Sequence, residues 1–314
     1  MHHHEHLWWR FFPKRELDQI YVSVALRFFA ISLISLFVPL YLYKEMNFTL
    51  FQTLNFFIFY AVIFAICSPL AAKFSSRYGL KHSILLSVPI YVLFIFSLYF
   101  LPTYSIPLPL ISSLMGASLA FYWMGAHVIF YQASDRKHRG EEFGKRKSIS
   151  VLATLFGPLV GGVLIQYTGF KIVFILVSVL LFISALFLFL SKEKKVKYHF
   201  SFKAIWDKGH WKDAIFFVSR GTRVAASGII WPLFIFFVLG DYLSLGVVGS
   251  ILAGVSAILI WLMGKVSDKV GKRKIIRWVT GFESVSWFVR AGVSTISGVF
   301  GATFLGALTY GLME

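Results

Sequence analysis

Ten apolar runs constrain this chain of 314 residues more than any other feature of its sequence. Most are about 20 residues long, and an α-helix of that length crosses the roughly 30 Å hydrocarbon core of a bilayer. The runs lack the residue-by-residue alternation of a membrane β-barrel, so they predict helices. Numbered 1 to 10 as predicted spans, they are Ile20–Leu42, Phe51–Ala71, Ser83–Leu101, Leu108–Tyr131, Ile149–Tyr167, Ile172–Leu190, Ala214–Leu239, Leu243–Met263, Ile275–Val293 and Val299–Leu312. The sequence therefore predicts an all-α membrane protein.

The composition excludes a soluble globular protein. Hydrophobic residues make up 58% of the chain and charged residues 14%, whereas soluble domains carry about 25% charged residues. The net charge of +17 does not indicate nucleic-acid binding, because the basic residues lie between the apolar runs rather than on one folded face. The spans hold no nucleophile–base pair and no cluster of metal ligands, so we expect no enzyme activity, no cofactor and no metal.

Basic residues predict the orientation of the chain in the membrane. If Arg277 is counted with the loop that it borders, 25 of the 31 lysines and arginines lie in the N-terminal segment and in the loops after spans 2, 4, 6 and 8. The opposite loops hold only Lys44 and Lys171. Loops rich in lysine and arginine stay on the cytoplasmic side, so we predict a multi-pass protein of the cytoplasmic membrane with a cytoplasmic N-terminus.

An internal repeat divides the chain. Arg27 precedes Pro39 by twelve residues, Arg220 precedes Pro232 by twelve, and the basic loops after spans 2 and 8 repeat at an offset of 192. Two parallel halves are an architecture found in membrane transporters. We predict an N-terminal six-helix half (residues 1–191), a basic cytoplasmic linker (192–212) and an incomplete C-terminal half with spans 7 to 10 (213–314). Spans 11 and 12 would then lie past Glu314, so we expect a chain truncated after span 10.

The basic segment Gly264–Lys274 between spans 8 and 9 carries the most specific motif. It matches the pattern G-x-x-x-D-(R/K)-x-G-(R/K)-(R/K), which resembles the loop signature of the major facilitator superfamily. A second copy after span 2 keeps three of the basic and glycine positions but has Ala72 and Ser76 in place of the usual glycine and aspartate. The resemblance implies a bundle of two pseudo-twofold halves with twelve helices, of which ten are present, and assigns gating to Arg77, Gly79, Gly264, Asp268, Gly271 and Arg273. A turn that only sets topology is the alternative.

Span 5 contains a pattern of small residues that resembles the antiporter signature of the same superfamily. Its central residues are Gly157, Pro158, Gly161 and Gly162, with Ala153 in place of a further glycine. The proline is expected to bend the helix, and the glycines allow close contact with neighbouring helices. The alternative is ordinary packing of small residues, which carries no implication of export.

The resemblance places spans 1, 4, 7 and 10 around a central substrate cavity. Ionisable groups within spans are functional candidates, because they are costly in hydrocarbon. The candidate cavity residues are Arg27, Trp123, His127, Arg223, Ser227 and Trp231. Arg27 is also shallow enough to reach the inner interface by snorkelling, and His127 also fits a packing role. Arg223 is predicted to contact substrate, and a side chain directed at Glu283 would contradict that prediction.

Glu283 in span 9 is the one acid well inside a span, and Arg290 follows it by seven residues on the same helical face. We interpret Glu283 as the partner of an arginine on another span, with proton coupling as the alternative. Four arginines against one glutamate within the spans favour an anionic or amphipathic small molecule as substrate.

These features predict a monomeric secondary transporter that moves a small molecule across the membrane by alternating access. Efflux by antiport, with a proton as the coupling ion, is one form that such a transporter takes. The alternatives are a non-transporting membrane receptor or scaffold and an inactive fragment of a longer transporter.

The predicted topology is tested by single cysteines at Lys145, Lys208 and Tyr104. In intact cells an impermeant thiol reagent should label the cysteine at Tyr104, because that loop is predicted to face outward. It should not label the other two, which lie in basic segments predicted to be cytoplasmic. Labelling at Lys208 from outside would overturn both the orientation and the division into two halves.

Overall fold

The computed structural model describes residues 15–133, 150, 153–189, 211–270 and 272–313. Within these residues, ten helices correspond to the ten predicted spans and are labelled accordingly. They are α1 (Arg15–Ser35, continued by Val38–Leu40 and a π-helical turn at Tyr41–Glu45), α2 (Leu50–Tyr78), α3 (Leu80–Phe100), α4 (Leu108–Ala133), α5 (Gly157–Thr168), α6 (Phe170–Phe189), α7 (Trp211–Ala225, a π-helical turn at Ala226–Ile230, and Trp231–Leu239), α8 (Tyr242–Val270), α9 (Lys272–Ala291) and α10 (Ile296–Met313). The predicted helical class is confirmed.

Six of these helices are long and apolar enough, within the described residues, to cross a membrane. They are α1, α2, α3, α4, α6 and α7. Shorter apolar helices occur at Ala153–Thr168, Tyr242–Ile258 and Ile296–Thr309, in spans 5, 8 and 10. A multi-pass membrane protein is therefore confirmed, whereas the number of ten spans and the pseudo-twofold arrangement of two halves stay predictions.

The helices on either side of each basic motif are separated by a single residue. Helix α2 ends at Tyr78 and α3 begins at Leu80, and Gly79 between them has a φ of +115°, a backbone conformation that favours glycine. Helix α8 continues to Val270 and α9 begins at Lys272. The prediction of a turn over Gly264–Lys274 is therefore wrong for most of its length, because lysine and arginine propagate a helix well.

The two prolines that the repeat aligns both lie beside interruptions of α-helical geometry. Helix α1 is broken at Phe37, two residues before Pro39, and continues into its π-helical turn. In α7 the π-helical turn ends at Ile230, immediately before Trp231 and Pro232. Proline cannot donate a backbone hydrogen bond, and π-helical turns accommodate the resulting change of register. Both helices therefore depart from regular α-helical hydrogen bonding beside the aligned proline.

The first six helices pack around a core of large apolar side chains. Helices α2 and α3 pack on α4, while α6 packs on α1 and α3. Phe37, Phe94 and Phe174 are fully buried in this core. The hydroxyl group of Tyr41 donates a 2.7 Å hydrogen bond to the carbonyl oxygen of Leu98, which connects the end of α1 to α3. Helix α10 packs on α8 and α9 in the other group.

Helix α5 contacts α1 on one side and α8 on the other, and its glycines set both distances. A Cβ atom at Gly161 would meet the carbonyl oxygen of Leu33 in α1. A Cβ atom at Gly162 would lie 2.6 Å from the carbonyl oxygen of Tyr242 and 3.2 Å from the Cα atom of Gly246, both in α8. At the start of α5 the backbone N–H of Leu159 donates to Ser250 Oγ of α8 at 3.0 Å. Small residues thus bring three backbones into direct contact.

Gly162→Ala is expected to lower the thermal stability of the purified protein in detergent. The added Cβ meets backbone atoms that cannot rotate away, and overpacking of this kind costs about 1–3 kcal/mol. Gly301→Ala in α10 is the matched control, because nothing lies within 4 Å of its added Cβ and alanine favours a helix. Unfolding followed by tryptophan fluorescence should show a lower melting temperature for the first variant alone. Equal melting temperatures would contradict the close α5–α8 contact.

Candidate functional site

An ion pair connects α7 to α9 inside the protein. Arg223 Nε lies 3.6 Å from Glu283 Oε1, and the two side chains are only 10% and 12% exposed. The π-helical turn that follows Arg223 starts at Ala226, so the pair lies where α7 changes geometry. The structure thus places the buried acid of span 9 against an arginine of another span, as interpreted from the sequence.

Arg290 lies next to this pair and is held by aromatic rings. Its guanidinium carbon lies 4.3 Å from the ring centre of Trp287 and 4.8 Å from that of Trp231. Its charge also interacts with that of Glu283, so two arginines share one carboxylate. The guanidinium occupies the space that a side chain at Gly306 would need, which explains a glycine at that position of α10. Rings, carboxylate and glycine together accommodate one buried cation.

The structure corrects the interpretation of Arg223. That residue was predicted to contact substrate, but its side chain is directed at Glu283. This contact is the outcome that contradicts the prediction, so the prediction is wrong. The charge of Arg223 no longer argues for an anionic substrate. The spacing of Arg223, Ser227 and Trp231 would place them on one face of a regular α-helix, but the π-helical turn at Ala226–Ile230 interrupts that repeat. Ser227 is half-buried, and Trp231 is buried and donates from Nε1 to Thr303 Oγ1 at 3.2 Å.

Arg27 lies inside the group of the first six helices. It is 2% exposed, so the alternative of snorkelling to the interface is wrong. Its guanidinium carbon lies 3.9 Å from the ring centre of Tyr122 in α4 and 5.8 Å from that of Tyr91 in α3. None of its three side-chain nitrogens has a hydrogen-bond partner among the described residues. Sequence reasoning missed both tyrosines, although Tyr122 adjoins the candidate Trp123.

Aromatic rings extend from Arg27 along α4 towards its predicted cytoplasmic end. Phe28 packs edge-on against Tyr122 and Trp123, with ring centres 6.3 Å and 6.1 Å away. Trp123 in turn stacks on His127 at 5.1 Å. Tyr122 is buried, Trp123 is half-buried and His127 is exposed, so the row of rings leads from the interior to the surface.

A polar contact joins α1 to α8 at the predicted outer end. The hydroxyl group of Tyr242 donates a 2.5 Å hydrogen bond to Glu45 Oε1, and the backbone N–H of Tyr242 donates to Gln166 Oε1 at 3.3 Å. Lys44 Nζ lies 4.5 Å from the ring centre of Phe236 in α7. We call these five residues the outer latch. Sequence analysis missed it, because its members come from four different spans.

The predicted gating residues are described only in part. Gly79 separates α2 from α3, and Arg77 is exposed and lies 5.4 Å from the ring centre of Tyr78. Lys81 Nζ donates to the carbonyl oxygen of Phe189 at 2.6 Å, which fastens the start of α3 to the end of α6. Gly271 lies outside the described residues, as do the side chains of the remaining gating candidates. These candidates are Gly264 and Asp268 on the backbone of α8 and Arg273 on that of α9.

Comparison with known proteins shows the family. A family model described as Major Facilitator Superfamily matches residues 20–314. The chain belongs to the major facilitator superfamily. Members of this superfamily are membrane transporters that move small molecules.

One curated protein is similar to part of the chain. The "Uncharacterized protein YqgE" of Bacillus subtilis (strain 168) is 24% identical over 180 residues, which is 54% of this chain. The match spans 41% of that protein's own length, and its name gives no substrate.

Double-mutant analysis tests the Arg223–Glu283 pair. Removing one partner of a buried ion pair costs about 3–5 kcal/mol, because the other charge stays buried. Glu283→Gln should lower the melting temperature more than Arg223→Gln, since two arginines lose their carboxylate. The double variant should be more stable than the sum of both losses implies, with a coupling of about 0.5–3 kcal/mol. Strictly additive losses in thermal unfolding would show that the two side chains do not interact.

Proposed function

We propose that the protein is a secondary transporter that alternates between states open to either side of the cytoplasmic membrane, and that this structure is closed at the outer end. The outer latch carries the proposal. Tyr242, Lys44 and Glu45 join the first six helices to the last four through side chains. Lys44 and Glu45 are exposed, so water can replace their contacts when the helices separate.

The predicted inner part of α7 separates apolar from charged side chains. The apolar residues Ile215 to Val218 and Val224 are exposed, as lipid-facing side chains are, whereas Arg220 and Arg223 are partly covered, and the side chain of Arg223 is only 10% exposed. The charged side of this segment therefore faces the other helices, at the end opposite the latch. We propose that substrate enters and leaves from this side in the state described, past Ser227 and Trp231.

The other predicted site residues take roles that fit this cycle. The glycines of α5 provide an interface on which α8 slides without interlocking side chains, in keeping with the antiporter-like motif. Asp268, Gly271 and Arg273 with their counterparts Arg77 and Gly79 are proposed to close the inner end in the opposite state. The pairing of Glu283 with Arg223 favours a structural ion pair over proton coupling, and export by antiport rests on the α5 motif alone.

A non-transporting receptor or scaffold is the second candidate function, and labelling of an interior cysteine separates the two. In a Cys67→Ser background, Ser227→Cys is the probe, and an impermeant maleimide is added to intact cells. Lys44→Cys and Phe236→Cys are included so that oxidation closes the outer latch with a disulfide. A transporter should be labelled before oxidation, protected after it, and labelled again after reduction.

The matched control pairs Tyr99→Cys with Lys171→Cys, whose native side chains meet in a 5.8 Å cation–π contact within the first six helices. Cross-linking this pair leaves the latch free, so labelling at Ser227→Cys should continue. Equal labelling with and without the latch disulfide would show that the latch is not a gate. A probe that is never labelled from outside would favour the receptor or scaffold.

A further inference from the structure

Arg27 is the buried cation whose nitrogens find no acceptor in the part of the chain that the structure describes. Nε, Nη1 and Nη2 are all buried and lack hydrogen-bond partners, although a guanidinium carries five N–H donors. Its neighbours are the faces of Tyr122 and Tyr91, which attract the charge but accept no conventional hydrogen bond. Buried donors are normally paired, so this group calls for a partner from outside the described chain.

The sequence holds few carboxylates near Arg27, and the nearest along α1, Glu16 and Asp18, lie at least nine residues before it. Between Asp18 and Asp135 the sequence contains a single acid, Glu45, and α5 and α6 contain none. Glu45 lies eighteen residues from Arg27 along α1, roughly 27 Å in a helix, and is engaged by Tyr242. Asp18 lies nine residues before Arg27, roughly 13 Å away on the same scale.

The surroundings of Arg27 indicate the chemistry of the missing partner. A guanidinium with a free planar fork suits a carboxylate, which it binds through two parallel hydrogen bonds. One cation balances one negative charge, which disfavours a dianion at a buried site. The ring of Tyr122 lies 3.9 Å from the guanidinium carbon, and the rings of Phe28 and Trp123 pack against that of Tyr122. This cluster of rings suits a flat, apolar body.

We propose that Arg27 and the rings of α4 bind a small aromatic monocarboxylate, and that this is the class of substrate the transporter carries. The binding site is inferred from the structure directly, whereas the statement that its ligand is the transported substrate rests on the proposed function. This assignment also differs from the sequence argument for an anionic substrate, which depended on Arg223. The row from Tyr122 through Trp123 ends at exposed His127, which marks the predicted cytoplasmic side as the side from which the ligand would approach.

Thermal stabilisation of the full chain in detergent tests the site without any transport assay. Benzoate is the probe, and benzamide is its neutral counterpart of the same shape. Benzoate should raise the melting temperature and benzamide should not. In Arg27→Lys and Arg27→Met the affinity for benzoate should fall about 10- to 100-fold, as expected for loss of a charge-assisted hydrogen-bonded contact. Lys73→Gln, which removes an exposed cation instead, should bind benzoate as the unaltered protein does.

Arg27→Met also separates a binding role from a structural one. An unpaired buried charge contributes little stability, so without ligand this variant should melt at the same or a higher temperature. If Arg27 served only to hold Tyr91 and Tyr122, the variant would melt lower and benzoate would still stabilise it, which would overturn the proposal. So would benzoate binding that is equal in all variants, or stabilisation by chloride or sulfate as strong as that by benzoate.

Failure of the site and failure of the proposed function give different results. If benzoate stabilises neither the unaltered protein nor any variant, while the latch disulfide still protects Ser227→Cys from labelling, the ligand class is rejected and the transport proposal stands. Benzoate binding through Arg27 with no labelling of Ser227→Cys from outside would retain the site and reject transport.

Discussion

Compensation of charge inside an apolar bundle is the constraint on which the rest of this structure depends. A cation at the centre of a bilayer costs about 2.5–3.5 kcal/mol even on the lenient insertion scale. Arg223 meets that cost with the carboxylate of Glu283, and Arg290 with two indole faces and a share of the same carboxylate. Among the described residues, Arg27 contacts tyrosine faces and no hydrogen-bond acceptor. A desolvated cation–π contact contributes about 2 kcal/mol, which offsets much of the charge but leaves the donors unpaired.

The contacts between helices divide into two kinds with different mechanical properties. Along α5, backbone meets backbone at Gly161 and Gly162, so the distance between helices is fixed but little opposes sliding. At the outer end, long side chains make directional contacts that hold one relative position of α1 and α8. A rocking motion between two groups of helices requires that the distance between the packed helices stay fixed while their relative position changes.

Sequence reasoning predicted the features that depend on neighbouring residues. Apolar runs predicted the helices. The aligned prolines Pro39 and Pro232 were recognised as a repeat, and the structure shows that both lie beside interruptions in α1 and α7. The separation of α2 from α3 at Gly79 followed from the motif, because a φ of +115° favours glycine.

The features that sequence reasoning missed depend on side-chain direction or on distant pairing. Helical rise gave the depth of Arg27 but not the direction of its side chain, so snorkelling stayed open. The partner of Arg223 is sixty residues away in the chain. The π-helical turn in α7 shifts the register of the residues that follow Arg223, which α-helical spacing alone does not reveal. No local pattern connects Glu45 to Tyr242, since the two residues lie 197 positions apart.

Tyr242 has a consequence for the kinetics of opening. Its hydroxyl group is bound to α1 and its backbone N–H to Gln166 at the end of α5, while Lys44 lies over its ring at 5.1 Å. A single residue at the start of α8 therefore senses two helices of the opposite group at once. In the proposed cycle, movement of α8 would break these contacts together, because they share one residue. We therefore expect the outer end to open in one cooperative step, with half-open intermediates sparsely populated.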